Sequence, residues 1–102
     1  MTWHAAGDAD LAPGDWALRA VGGCRLLVAR AADGTWCALD PVCTHAGLPL
    51  AGGRVRGRPF VCPHHGARFC LVTGRALGPP AVAPVRAFPV RDREGRLEVL
   101  VP

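Results

Sequence analysis

No stretch of this chain repeats apolar residues at the three-to-four spacing of a helix, and ten prolines with thirteen glycines interrupt it at short intervals. Long helices do not tolerate such punctuation. The β-rich runs are short, and the last alternates Leu97, Val99 and Val101 against Arg96, Glu98 and Leu100, the pattern of a half-buried strand. These observations predict an all-β protein. At 102 residues, half of them hydrophobic, the chain is long enough for one domain with one core and too short for two.

The first predicted strand, residues 16–20, follows a turn at Pro13-Gly14 and ends at Gly22-Gly23. Residues 25–31 and 35–39 flank Asp33-Gly34, a dipeptide suited to the positive φ of a tight hairpin turn, so they are predicted to pair antiparallel. Pro41 then interrupts, and to about residue 75 glycine, proline, cysteine and histidine dominate. Within that segment residues 54–56 and 59–61 read as short strands joined near Gly57-Arg58, and residues 68–71 as a third. Beyond Leu77-Gly78-Pro79-Pro80 longer strands resume at residues 82–91 and 96–101, around a turn at residues 92–95. Trp3, Trp16 and Trp36 read as core or edge packing. The chain is thus expected to be a single domain, 1–102, whose base (1–40 and 76–102) carries an inserted segment (41–75).

Arginine supplies all twelve positive charges; Lys, Ile, Asn, Gln, Ser and Tyr are absent. The net charge of +4 suits acidic partners, but the arginines are scattered and no base-stacking aromatic array accompanies them, which argues against nucleic acid. Arg54, Arg56, Arg58, Arg68 and Arg75 are candidates for a basic docking rim. No apolar run approaches the roughly 20 residues of a membrane helix, and the N-terminus lacks the basic-then-apolar order of a secretion signal. The expectation is a cytoplasmic protein with no membrane partner. Cys24, Cys37 and Cys70 lie in apolar segments and read as buried free thiols, which fits a reducing compartment.

The remaining cysteines belong to two loops, Cys43-Thr44-His45 and Cys62-Pro63-His64-His65-Gly66, with sixteen residues between His45 and Cys62. That gap is room for a hairpin carrying both loops to a common tip. Thiolate and imidazole hold soft and borderline metals, so two such pairs point to a metal site before disulfides. A tetrahedral zinc would accept the same four donors. Gly66 and Gly47 permit positive φ or close approach to a bound group. Pro63 removes one N–H that would need a partner and leaves neighbouring amides free to point at sulfur. Thirty-five residues bury too little apolar surface to stand alone, so a metal would supply part of the segment's folding free energy.

Cys-x-His, the sixteen-residue gap and Cys-Pro-x-His-Gly resemble the Rieske 2Fe-2S signature, and the resemblance extends through Gly66-Ala67-Arg68-Phe69 and Thr73-Gly74 to Leu77-Gly78-Pro79-Pro80. It implies a Rieske-like antiparallel β-sandwich base domain with an inserted cluster-binding subdomain. It also implies one 2Fe-2S cluster, with Cys43 and Cys62 on one iron and His45 and His65 on the other. The ligand position before glycine selects His65 and leaves His64 an exposed neighbour; Pro79-Pro80 is similar to the loop lying over the cluster. High-potential Rieske proteins join the two loops by a disulfide and place serine and tyrosine hydroxyls near the cluster. The matching positions here are Leu48 and His64, and Ala67 and Phe69. The chain therefore resembles the soluble, low-potential ferredoxin components of bacterial ring-hydroxylating oxygenases. Such a protein is a monomeric electron carrier, without catalytic residues of its own, between a flavoprotein or ferredoxin reductase and a terminal oxygenase. Two alternatives stay open: a non-catalytic subunit similar to the small subunit of nitrite reductase, and a zinc-stabilised binding module.

Overall fold

In the computed structural model, residues 1–43, 47, 49–64, 66–79 and 81–102 are described. They form ten strands and no helix: β1 (Thr2–Asp8), β2 (Trp16–Val21), β3 (Cys24–Arg30), β4 (Trp36–Leu39), β5 (Arg54–Val55), β6 (Pro59–Val61), β7 (Arg68–Cys70), β8 (Ala87–Phe88), β9 (Val90–Arg93) and β10 (Arg96–Val101). All pairings are antiparallel, in three sheets ordered β1-β10-β9, β2-β3-β4-β8 and β5-β6-β7.

The four-stranded sheet is the middle layer. Alternate residues of β3 go to opposite cores, Leu26 and Val28 to one and Leu27 and Ala29 to the other. β4 divides likewise, with Ala38 against Cys37 and Leu39. On one face the core is completed by Ala6 of β1 and by Leu97, Val99 and Val101 of β10. On the other it is completed by Phe60, Phe69 and Leu71, together with Cys43, Leu50 and Cys62. Burial on both faces explains why Leu26-Leu27-Val28-Ala29 reads as an unbroken apolar run rather than an alternating strand.

The hairpin at Asp33-Gly34 forms, pairing Arg30 with Trp36. Gly22-Gly23 is a second, tighter one that pairs Val21 with Cys24, both glycines having positive φ. Three differences from expectation stand out. β1 runs along β10 from Thr2 opposite Val101 to Asp8 opposite Arg96, with a bulge between Ala5 and Asp8; no strand is predicted there. The strand expected over 82–91 is two strands in different sheets, β8 beside β4 and β9 beside β10. Pro89 between them has no N–H to donate, while its carbonyl accepts from the Leu100 amide at 3.0 Å; Val82 lies in the open, 88% exposed. Among the three cysteines read as buried thiols, Cys37 is buried, Cys70 half-buried and Cys24 exposed at the first position of β3, beside the glycine turn.

The tryptophans pack as expected. Trp3 lies under the Arg91 guanidinium (4.0 Å) and Trp36 under that of Arg30 (4.8 Å), and Trp16 meets Phe60 edge to face at 6.1 Å.

Candidate functional site

Cys43 and Cys62 come to the site on two loops, one after β4 and one between β6 and β7. Cys43 follows β4 across Asp40 and Pro41, in a loop closed by a bridge between Val42 and Pro49 and by the Leu50 amide donating to the Pro41 carbonyl (2.7 Å). Inside that loop the Gly47 amide donates to the Cys43 carbonyl at 2.8 Å. Cys62 opens the loop between β6 and β7, where its amide donates to the Ala67 carbonyl at 2.7 Å. Gly47 and Gly66 have φ of 64° and 69°. Among the described residues a Cβ at either would meet nothing within 4 Å beyond its chain neighbours, and the left-handed backbone by itself calls for glycine.

The two thiols are free, buried and near enough for one to act on the other. Burial pushes the Cys62 thiol up; the His64 amide, donating to its sulfur at 3.4 Å, pulls it down, and the Cys43 thiol raises it again. This amide comes directly after Pro63, where the sequence suggests a donor free to face sulfur. Phe60, Ala67, Phe69 and Ala81 share their core with the pair.

His45 and His65, the other two candidate ligands, lie outside the described residues, as do Thr44, Leu48 and Pro80. Among the described residues no three Cys, His, Asp or Glu side chains converge. His64 is half-buried rather than the exposed neighbour expected. Pro79 is exposed, and Ala81 just beyond the proline pair is buried in the same core as the two cysteines. One supporting contact is missing from the sequence reading. The Trp16 indole N–H donates to the Gly53 carbonyl at 3.0 Å, tying the middle sheet to the turn before β5. A lone tryptophan carries no signal for such a bond.

Two buried thiols side by side and unbridged, with a backbone N–H on one sulfur, are donors suited to a thiolate-bound metal centre. Coordination deprotonates a thiol, and the metal charge offsets the cost of burying thiolate. The residues present therefore fit an iron–sulfur group at this point.

A family model described as the Rieske [2Fe-2S] domain matches residues 2–89. The chain belongs to the Rieske family. Its cofactor is accordingly a 2Fe-2S cluster. Over 70 residues this Rieske domain is 37% identical to the 3-phenylpropionate/cinnamic acid dioxygenase ferredoxin subunit of Photorhabdus laumondii, covering 68% of the chain and 67% of that protein. Matches span about two thirds of such curated relatives, 64% for a second one. Among solved structures, it is similar to a chain in the complex of reduced oxygenase and oxidised ferredoxin in carbazole 1,9a-dioxygenase. There the TM-score is 0.81 at 31% identity, over 93% of this chain and 97% of that one. A putative NADH-dependent nitrite reductase small subunit from Mycobacterium tuberculosis gives 0.82 at 28% identity, over 96% and 93%.

Proposed function

We propose that this Rieske domain is a ferredoxin, a one-electron carrier that takes electrons from a flavoprotein or ferredoxin reductase and delivers them to a terminal oxygenase. Cys43, His45, Cys62 and His65 hold its cluster. The observation that carries the reading is the buried, unbridged Cys43 and Cys62 pair in two closed loops, each loop also carrying a histidine two or three positions after its cysteine. The naming of relatives as ferredoxin components of dioxygenase systems supports it.

When bound, the cluster supplies one-electron oxidation and reduction with no bond made to a substrate. The chain's own residues do the rest. Phe60, Phe69 and Leu71 keep water from the cysteine side, and the His64 amide stabilises negative charge on the Cys62 sulfur. Outside the two loops the chain has one histidine, His4, so it holds no second histidine set for a mononuclear iron. The protein works as a monomer in the cytoplasm, with residues 41–75 as the cluster-binding subdomain on a base of 1–40 and 76–102.

Purified protein is expected to be red-brown, with two irons and two acid-labile sulfides per chain. His45→Ala and His65→Ala remove the native visible spectrum and His64→Ala retains it; a colourless protein holding one zinc overturns the assignment. The similarity to a nitrite reductase small subunit favours one second reading, a non-catalytic subunit. Stoichiometric co-purification with a large reductase subunit would support it over a free carrier.

A further inference from the structure

Between Asp40 and Asp92 the chain has seven arginines and no carboxylate side chain, whereas the remainder has five arginines and all eight carboxylates. The excess positive charge is therefore confined to the cluster-bearing part and its return segment. The register of β5-β6-β7 concentrates it further. Arg54, Val61 and Arg68 lie opposite one another across the three strands, so their side chains share one face. Val55, Phe60 and Phe69 form the next row, on the face turned to the core. Arg56, whose amide donates to the Pro59 carbonyl at 2.8 Å, returns to the outer face. The three arginines are exposed, and Pro59 and Val61 between them half-buried.

None of the three is paired with a carboxylate among the described residues. Arg68 donates to the Leu77 carbonyl at 3.2 Å, which fixes the guanidinium and leaves its charge unneutralised. Arg58 differs, since it reaches Asp33 at 3.4 Å. A shallow groove lined by Arg56, Pro59, Val61 and Arg68 meets, at Val61, a second groove that runs past Arg54 to Cys62 and Gly66. The charged face thus continues directly into the loop that holds Cys62.

We propose that the outer face of β5-β6-β7 is a docking surface for a redox-partner protein that presents carboxylates, seated over Arg54, Arg56 and Arg68 with Val61 as its apolar centre. The inference rests on the electron-carrier reading. Guanidinium groups bind carboxylates by paired N–H donors, and an apolar strip rimmed by unopposed charge favours association and steering. A surface of one sign rejects partners of the same sign, which ties the choice of partner to this sheet.

The holoprotein is titrated calorimetrically with poly-L-glutamate while ionic strength rises from 0.01 to 0.1 M, over which the screening length falls from about 30 to about 10 Å. Binding is expected at low salt and lost across that range. Arg54→Glu and Arg56→Glu, whose side chains make no hydrogen bond among the described residues, should each weaken binding roughly fivefold, as loss of an exposed pair plus added repulsion would. Arg96→Glu, on β10, should leave it within error. Arg68→Gln should weaken it less than either reversal.

A second readout uses electron transfer. Oxidation of the dithionite-reduced protein by anionic ferricyanide should slow in Arg54→Glu and Arg56→Glu, while oxidation by cationic tris(phenanthroline)cobalt(III) speeds up, with the visible spectrum unchanged. Equal polyglutamate binding by the wild type and both reversals overturns the proposal. So does duplex DNA binding through the same arginines as tightly as polyglutamate, which would mark a general polyanion surface. A zinc-containing, colourless protein defeats the carrier reading and leaves the titration to be judged by itself.

Discussion

Cys37 and Cys24, on adjacent strands, differ chiefly in burial. Cys37 packs in the shared core beside Leu39 and Phe69, and burial pushes its thiol from the ordinary 9.0 up to about 11. Cys24 is exposed. Thiolate is the reactive form, so a short iodoacetamide pulse at pH 8 should label Cys24 and spare Cys37 until the protein unfolds, as mass spectrometry would show. Comparable labelling of both in the native state would contradict the packing. Because the unfolded thiol loses its proton near 9 and the folded one near 11, the stability that protonated Cys37 contributes is present below about 9. It is lost as pH rises through about 11. The sequence suggests this for Cys37 and misleads for Cys24, because an apolar neighbourhood in sequence does not tell which end of a strand meets the turn. Ala67 and Phe69 make a second argument at this scale. Both are fully buried, and neither has a hydroxyl to donate to cluster or ligand sulfur. Donors to sulfur stabilise the reduced cluster, so their absence places the potential in the lower part of the Rieske range, about −150 to 0 mV. Direct voltammetry at neutral pH should show Ala67→Ser and Phe69→Tyr each raising the midpoint, and a wild-type value above about +100 mV would mean that other donors act.

The elements were legible where pattern and turn chemistry coincide. β10 carries its alternation openly, and Asp33-Gly34 announces its hairpin. β1 could not be read in the same way, since Ala6 is its one buried residue and its place depends on pairing with β10, 88 to 99 residues away in sequence. It is held locally by Arg19, which donates to the Ala6 and Asp8 carbonyls at 2.9 and 2.7 Å and to Asp10 at 2.6 Å. The split of 82–91 depends on Pro89 marking a change of sheet, and proline alone does not tell a sheet change from a strand end. For the site, residue type and spacing identify the loops, whereas the contact between Trp16 and Gly53 is long-range and invisible in sequence. It nevertheless sets the turn before β5. A Cβ on Gly53 would collide with the Val61 carbonyl and come within 2.7 Å of the Phe60 ring. Gly53→Ala must therefore shift backbone and is expected to cost about 1–3 kcal/mol. Trp16→Phe removes the indole donor together with part of the ring that meets Phe60, and should cost about 1 kcal/mol for the hydrogen bond plus the lost packing. Denaturant titration of the holoprotein measures both, and a Gly53→Ala variant as stable as the wild type would show that the turn yields freely.

Over the whole molecule, the two cores differ in what they include. The core between the middle sheet and β1-β10 draws its buried residues from strands outside segment 41–75. The other joins Leu27, Ala29 and Leu39 of the middle sheet to Phe60, Phe69, Leu71 and the two cysteines. The inserted segment, residues 41–75, therefore shares a core with the middle sheet instead of building one of its own. Sequence length alone suggests its dependence on metal; the structure adds dependence on the middle sheet, supplied through Phe60 and the Trp16 edge contact. Removing iron and sulfide should then act unevenly. It leaves two neighbouring buried thiols without a compensating charge and removes the binding free energy that holds the two loops. Residues 41–79 should lose amide protection first. β1, β9 and β10 should keep theirs, because their core has no member in that segment, and β3 and β4 should lose it partly, through the shared face. Hydrogen exchange followed by mass spectrometry on the apoprotein checks this gradient. Uniform loss across all three sheets would mean that the fold is one cooperative unit in which the cluster stabilises both cores alike. Unchanged protection of β5-β6-β7 would mean that packing on the middle sheet suffices to hold the loops.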